Sequence, residues 1–307
     1  MSWLQLIDKL PAGLRVRRLL ETIWAEITFP QSCPPGHFYS PIPSRREIER
    51  GKERIFRANF VRLPEIELRE SAQLEMLARL AVHARSLKLA ATPTPEKRYY
   101  SDNAYFFLAD ALVFAAMLME FKPRRYLEIG SGFTSALALD VKERNPGGKL
   151  QCTFIEPSAG RLRELLRPSD RNEVVIHEAR VQELPDKIFC ELGENDFLFI
   201  DGSHVSKVGS DLNNVLFRVL PLLQPGVMIH FHDIYWPFEY AEQDVMRGRS
   251  WNEAYLLRAY LANNAEYQIV FFPSWLQHSF SAEWLETFPG AGGFKASSLW
   301  LRKMSKV

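Results

Sequence analysis

Five short apolar runs constrain the fold of this chain more than any other feature. They are YLEIG (126–130), LQCTFIE (150–156), EVVIHEA (173–179), DFLFIDG (196–202) and GVMIHFHD (226–233). Each is nearly continuously apolar rather than alternating, as expected of strands covered by helices on both faces of a parallel sheet. Helical patterns separate them, from about Thr134 to Glu143, around Arg161–Leu166 and over Val208–Leu220. Asn145-Pro146-Gly147-Gly148 stops the first of these helices, and Pro225-Gly226 opens the fifth strand. Strand–helix alternation of this kind predicts an α/β, Rossmann-like, doubly wound and mostly parallel sheet. The rhythm changes at the end. YQIVFFP (267–273) and SSLWLRK (297–303) read as strands with no helical pattern between them, and as an antiparallel C-terminal pair.

Residues 1–95 follow a different regime and are expected to form a helical N-terminal extension. Leu74, Leu77, Ala81 and Ala84 give one amphipathic stripe. CPPGHFYSPIPS (33–44) has four prolines and a glycine, which forbid regular structure. It reads as a candidate lid offering His37 and Tyr39, or as a plain linker. ATPTPEK (91–97) marks the boundary, so the catalytic domain is expected over 96–307.

The polar residues that close the strands fall at one sheet edge. They are Glu128, Glu156, Glu178, Asp201, His232 and Asp233. Ligands of doubly wound sheets bind beyond this carboxyl edge. In LEIGSGFTSA, Gly130 and Gly132 sit at a strand-to-helix turn where backbone can approach a ligand closely. Ser135 stands where a dinucleotide motif has its third glycine. Glu156 ends the next strand, where a carboxylate can accept hydrogen bonds from both ribose hydroxyls. These features fit a nucleoside cofactor, with NAD among the alternatives.

LEIGSG, FIEP, FIDGSH and HFHD together resemble the class I S-adenosylmethionine-dependent methyltransferases. The resemblance runs over about 100–303 and is nearest to the small-molecule and sugar O-methyltransferases that include macrocin O-methyltransferase. It implies S-adenosyl-L-methionine as cofactor. By that resemblance Glu128, Gly130, Ser131 and Gly132 line the methionine part, Glu156 binds the ribose, and Glu178, Ala179 and Arg180 flank the adenine. Asp201 lies near the transferring methyl group. Asn103, before the first strand, is a further cofactor contact or a helix cap.

A hydroxyl acceptor must lose its proton, to a positioned base or with help from a divalent metal. The resemblance makes His204 of the DGSH turn the candidate base and Asp201 and Asp233 the metal ligands; His232, which departs from the family pattern, reads with Asp201 as a catalytic companion that orients the substrate or shares a proton with His204. The relatives carry an acidic pair where this chain has His232-Asp233. Magnesium prefers oxygen, so the histidine weakens magnesium and suits a transition metal, or no metal at all. His230 lies one pleat deeper and reads as a hydrogen-bonded core histidine, and His177 similarly. Trp236, Phe238 and Tyr240, with Glu239, read as an acceptor wall or as one buried face.

Composition narrows the remaining classes. The 307 residues carry a formal net charge of +1, so no global field recruits nucleic acid or a membrane surface. Arg15, Arg17, Arg18, Lys97 and Arg98 read as solvated faces. Three scattered cysteines without a CxxC point to a reducing compartment. The longest apolar run, ALVFAAMLM, is too short to span a bilayer, and the charged N-terminus lacks a signal-peptide core. The expectation is a cytoplasmic O-methyltransferase acting on a small molecule or sugar, of open oligomeric state. The alternatives are an NAD-dependent oxidoreductase, a nucleic-acid methyltransferase, and a protein using S-adenosylmethionine for other chemistry.

Overall fold

The computed structural model describes residues 13–28, 30, 32–56, 63–144 and 149–305. Two compact units divide the chain, Met1–Ala58 and Asn59–Val307. The Asn145–Gly148 helix stop lies outside the described residues, as do the side chains of Arg15, Arg17 and Arg18.

The first unit contains α1 (Gly13–Thr28) and α2 (Arg45–Phe56). Between them the proline-rich stretch is irregular, as its composition requires. Gly36 turns it with a positive φ of 84°, and its N–H donates to the Ile42 carbonyl at 3.0 Å. Phe38 and Tyr39 are exposed there.

The second unit begins before residue 96. Helix α3 (Glu70–Ala84) carries the stripe read from the sequence and packs on α4 (Leu108–Phe121). Gln73, fully buried, accepts from the Phe272 N–H at 2.7 Å and donates to the Leu68 carbonyl. Helix α3 therefore packs with the sheet domain, and the boundary falls earlier than the proline-marked segment at 91–97. Helix α4 is apolar on all sides because it is buried from Ala109 to Leu118.

Seven strands follow in one sheet: β1 (Arg125–Ile129), β2 (Gln151–Ile155), β3 (Val174–His177), β4 (Phe197–Ile200), β5 (Met228–His232), β6 (Tyr267–Phe271) and β7 (Ser298–Lys303). Their spatial order is 3-2-1-4-5-7-6. Strands β1 to β5 are parallel, and β7 runs antiparallel between β5 and β6. The register aligns Ile129 with both Ile155 and Ile200, and Ile200 with Phe231. Gly130, Glu156, Asp201 and His232 are thereby brought to one edge.

The crossover helices are α5 (Phe133–Arg144), α6 (Gly160–Leu165), the short α7 (Lys187–Cys190) and α8 (Asp211–Asn214). The last continues through a π-helical turn, Val215–Val219, into α9 (Leu220–Leu222). After β5 come α10 (Glu242–Met246) and α11 (Glu253–Leu261). The β6–β7 connection is not without helix: it holds α12 (Pro273–Ser279) and α13 (Ser281–Thr287). Leu276, Phe280, Trp284 and Phe288 recur every fourth residue there, a helical spacing masked by the surrounding glycines and aromatics.

Arg98 is not a solvated cation. It is buried, and its guanidinium donates to Asp170 at 2.6 and 2.7 Å, to Asp140 at 3.0 Å and to Glu143 at 2.6 Å. These bonds tie the segment before α4 to α5 and to the turn after α6. Among the described residues no helix is long and apolar enough to cross a membrane.

Candidate active site

Gly130 closes β1 with a φ of +85°. A Cβ at this position would lie 1.8 Å from the Asp201 carbonyl oxygen. The neighbour that demands glycine is thus the backbone following β4, the strand beside β1, where the motif suggested a ligand. Two hydrogen bonds hold the approach: the Asp201 N–H donates to the Ile129 carbonyl at 2.8 Å, and the Gly130 N–H to the Ile155 carbonyl at 3.0 Å.

Glu128 points into the protein and is completely buried. It accepts from the hydroxyls of Ser135, at 2.6 Å, and Thr134. The Gly132 N–H donates to Ser135 Oγ at 3.0 Å. The serine in place of a third glycine therefore links the turn to Glu128, and Glu128 braces the glycine turn from its buried side. Burial pushes its carboxyl up to about 8. A carboxyl raised in the folded state costs stability increasingly as pH climbs from about 4.5 to about 8. Glu128→Gln should flatten this slope: urea unfolding at pH 5 and pH 8 will show a smaller loss in the variant than in the parent.

Glu156 is half-buried at the end of β2. It accepts from the Ser131 N–H at 3.2 Å and the Ser158 N–H at 2.8 Å. The Ser131 hydroxyl is buried and has no hydrogen-bond partner among the described residues. A buried hydroxyl beside a glycine turn and a partly free carboxylate fits a nucleoside cofactor. Glu178 is exposed and paired with Arg163, half-buried Ala179 follows, and exposed Arg180 donates its N–H to Glu183 at 3.2 Å.

Asn103 neither caps α4 nor keeps a free amide. Its Nδ2 donates to the carbonyls of Tyr100 and Phe106, and its Oδ1 accepts from the N–H groups of Tyr105 and Phe106. Its side-chain amide is fully used in shaping the turn itself. Beside it stands Tyr105, which no sequence pattern singled out. It stacks on Phe133 at 5.9 Å, with the Arg161 guanidinium 3.5 Å from its ring.

At the ends of β4 and β5, four polar groups converge. His204 Nε2 lies 3.3 Å from Asp201 Oδ1 and 3.7 Å from Asp233 Oδ2. His232 Nδ1 lies 3.6 Å from the same Asp201 oxygen and 3.8 Å from the same Asp233 oxygen. His204 and Asp233 both have left-handed backbone, with φ of 58° and 55°. Both imidazoles are buried. Burial opposes charge on Asp201, but His232 and His204 hold its carboxyl well below the usual carboxylate range. Burial likewise opposes charge on the imidazoles, yet Asp201 and Glu253 raise His204, and Asp233 and Asp201 raise His232 to about 10. Without a metal ion the cluster is a network of carboxylates and imidazolium groups.

Two carboxylates behind the histidines were missed by sequence reasoning. The His204 Nδ1–H donates to Glu253 Oε2 at 2.7 Å. His232 Nε2 faces Asp110 Oδ2 at 3.9 Å, and Asp110 in turn accepts from the Ser297 N–H and hydroxyl. Asp110 was discoverable as a lone carboxylate bordering an apolar helix. Glu253, in the first turn of an ordinary amphipathic helix, had no such signal.

The remaining aromatic and histidine expectations divide. Phe238 and Tyr240 are core residues, packed on Phe272 at 5.3 Å and on Trp251 at 5.7 Å, so they are not an acceptor wall. Glu239 is occupied by the Tyr255 hydroxyl at 2.5 Å. Trp251 covers His204 at 4.5 Å instead, and the Tyr235 hydroxyl donates to Asp233 at 3.4 Å. His230 is interior, but it is held by stacking on Phe199 at 3.9 Å, and its Nδ1 has no hydrogen-bond partner among the described residues. His177 is only half-buried.

A glycine turn after β1 and an acidic residue after β2 thus stand at one edge of a Rossmann-like sheet of order 3-2-1-4-5-7-6 closed by an antiparallel β7. Residues 127–234 match the family model described as a methyltransferase domain. An uncharacterized protein of Archaeoglobus fulgidus is 37% identical over 127 residues, 40% of this chain and 58% of the relative. The chain thus spans little more than half of that relative's length. Among solved structures, the SAH-bound methyltransferase PaMTH1 of Podospora anserina is 14% identical, with a TM-score of 0.45 over 77% of this chain and 94% of that one. The O-methyltransferase TomG of Streptomyces achromogenes, in complex with SAM, is 15% identical, with a TM-score of 0.38 over 76% and 90%.

Proposed function

We propose that this protein transfers the methyl group of S-adenosylmethionine to a hydroxyl of a small molecule or sugar. The observation that carries the reading is the convergence of Asp201, His204, His232 and Asp233 at the same sheet edge as the Gly130–Gly132 turn. When bound, the cofactor supplies a methyl group on a positively charged sulfur. The protein must then hold an acceptor in line and take up its proton. Ser131, Gly132 and Glu156 hold the cofactor in this reading, and Asp201 faces its reactive end. His204 takes the acceptor's proton on Nε2, while Glu253 fixes the ring through Nδ1. Only a neutral imidazole can accept that proton, so the turnover form is the one in which the Asp201–His204 pair has lost a proton. Trp251 and Tyr235 border this space and favour an acceptor with an apolar or ring face.

The methyltransferase domain match favours this reading over the NAD-linked one. Isothermal titration with S-adenosylmethionine, S-adenosylhomocysteine and NAD tests it. Micromolar binding of the first two is expected; binding of NAD alone would refute the reading. Methyl transfer from labelled S-adenosylmethionine to a panel of phenols, sugars and amines then identifies the acceptor class.

Magnesium, which the resemblance implies, fits the residues poorly. It takes oxygen ligands in octahedral geometry. Here two imidazole nitrogens stand beside two carboxylates, and both ring nitrogens of His232 are buried without a hydrogen-bond partner among the described residues.

A further inference from the structure

The sheet edge opposite the glycine turn borders a second cavity. It measures about 330 Å³ and opens beneath the starts of β1 and β2, between the ends of α4 and α5. The two strand starts are joined there, since the Gln151 N–H donates to the Arg124 carbonyl at 2.9 Å. Arg124 and Gly130 stand at opposite ends of β1, about 20 Å apart at the usual rise of a strand. A molecule held in this cavity is therefore out of reach of the Asp201–His204 pair.

The lining divides into two parts. Buried Leu118, Val141 and Leu150 form an apolar floor. Lys122, Arg124, Lys142, Arg144 and Lys149 stand around it, and no carboxylate lines the cavity among the described residues. The carboxylates on neighbouring elements are already engaged. Glu120 is bound by Arg79 and His83, Asp140 by Arg98, Glu143 by Arg98 and Arg167, and Glu173 by Lys142 at 2.9 Å. Arg144 donates to the Ser86 carbonyl at 2.8 Å. The side chains of Lys122, Arg124 and Lys149 have no hydrogen bond or ion pair among the described residues.

Helix ends explain part of this charge. Cations favour helix C-termini, which accounts for Lys122 after α4 and for Lys142 and Arg144 in the last turn of α5. It does not account for Arg124 and Lys149, which precede strands. Like charges gathered on one concave surface repel, and an anion in the cavity relieves that repulsion. A bare ion would leave the floor in water, whereas an anion with an apolar body covers it.

We propose that this cavity binds a small phosphate monoester with an apolar body, its phosphate held by Lys122, Arg124 and Lys149 and its body laid on Leu118, Val141 and Leu150. Phosphate suits the site better than a carboxylate, because its oxygens can meet three separate cations and the guanidinium grips two of them at once. The site is separate from the methyl-transfer reading and does not rest on it.

The test titrates the full chain calorimetrically with 1-naphthyl phosphate, and with inorganic phosphate and 1-naphthol as its two halves. One equivalent of the ester is expected to bind, at least about tenfold more tightly than either half. Arg124→Gln and Lys149→Gln should each weaken it by about tenfold or more, as when a hydrogen-bonded charge is removed. Lys295→Gln, at an exposed lysine outside the cavity, should leave it unchanged. Saturating S-adenosylhomocysteine should not displace the ester. Circular dichroism melting separates lost affinity from lost fold in each variant. Ester binding no tighter than that of inorganic phosphate would overturn the proposal. So would unchanged affinity in both cavity variants, or displacement by S-adenosylhomocysteine. Sedimentation with phosphatidic acid vesicles without uptake of the ester would also overturn it, and would assign these cations to a membrane surface.

Discussion

His204→Ala and Asp201→Asn will each lose about 100-fold or more in turnover while S-adenosylhomocysteine still binds. The expectation follows from where the two side chains stand. His204 Nε2 is 3.3 Å from Asp201 Oδ1, and its other nitrogen is already committed to Glu253. Removing the imidazole deletes the proposed base, yet it leaves the Gly130–Gly132 turn and Glu156 in place. Replacing Asp201 by Asn keeps the shape of the strand end and removes one negative charge. Glu253→Gln should cost less, because an amide oxygen can still accept from Nδ1–H while contributing no charge. Calorimetry for the cofactor product and a labelled-methyl assay for turnover separate the two effects. Near-normal turnover in both His204→Ala and Asp201→Asn would remove these residues from the chemistry.

Gly130→Ala is expected to be more damaging to the fold than any of these substitutions. The added methyl would sit 1.8 Å from the Asp201 carbonyl oxygen, on a backbone held at a φ of +85°. Neither strand can retreat cheaply, since both are central and register-locked through Ile129, Ile155 and Ile200. Steric overlap with backbone plus left-handed strain places the change in the class of exceptional destabilisation, above about 4 kcal/mol. Little soluble protein is expected, and whatever folds should bind neither cofactor nor cofactor product. Gly132→Ala serves as the control. Its Cβ would meet only the Arg161 side chain at 3.6 Å, an ordinary contact, so the fold should persist. Thermal melting of the two variants side by side checks the contrast.

The contrast also shows what could be read from sequence. The sheet was legible because its central strands are almost purely apolar and end on polar residues, a pattern imposed by burial on both faces. The antiparallel closure by β7 was legible for the same reason. The role of each strand-end residue was less so. Glu128 and Glu156 both come near strand ends, but β1 pairs Glu128 with Phe154, so Glu128 lies one pleat deeper and is buried while Glu156 is left half-exposed. Asn103 looked available because an amide can always reach something; its partners proved to be within three residues of it. Glu253 is 49 positions from His204, and local pattern carries no information about such a pairing. Phe238 and Tyr240 were ambiguous in principle, since spacing of two describes a buried face and a pocket wall equally well.

Strand β7 follows β6 in the chain, yet it is inserted between β5 and β6. Ser297, just before it, holds Asp110 behind His232, and Ser298 pairs directly with His232. During synthesis the flank of β5 that carries both histidines therefore stays uncovered until residues through Lys303 have emerged from the ribosome. Completion of the polar cluster therefore waits on β7, while the glycine turn after β1 does not.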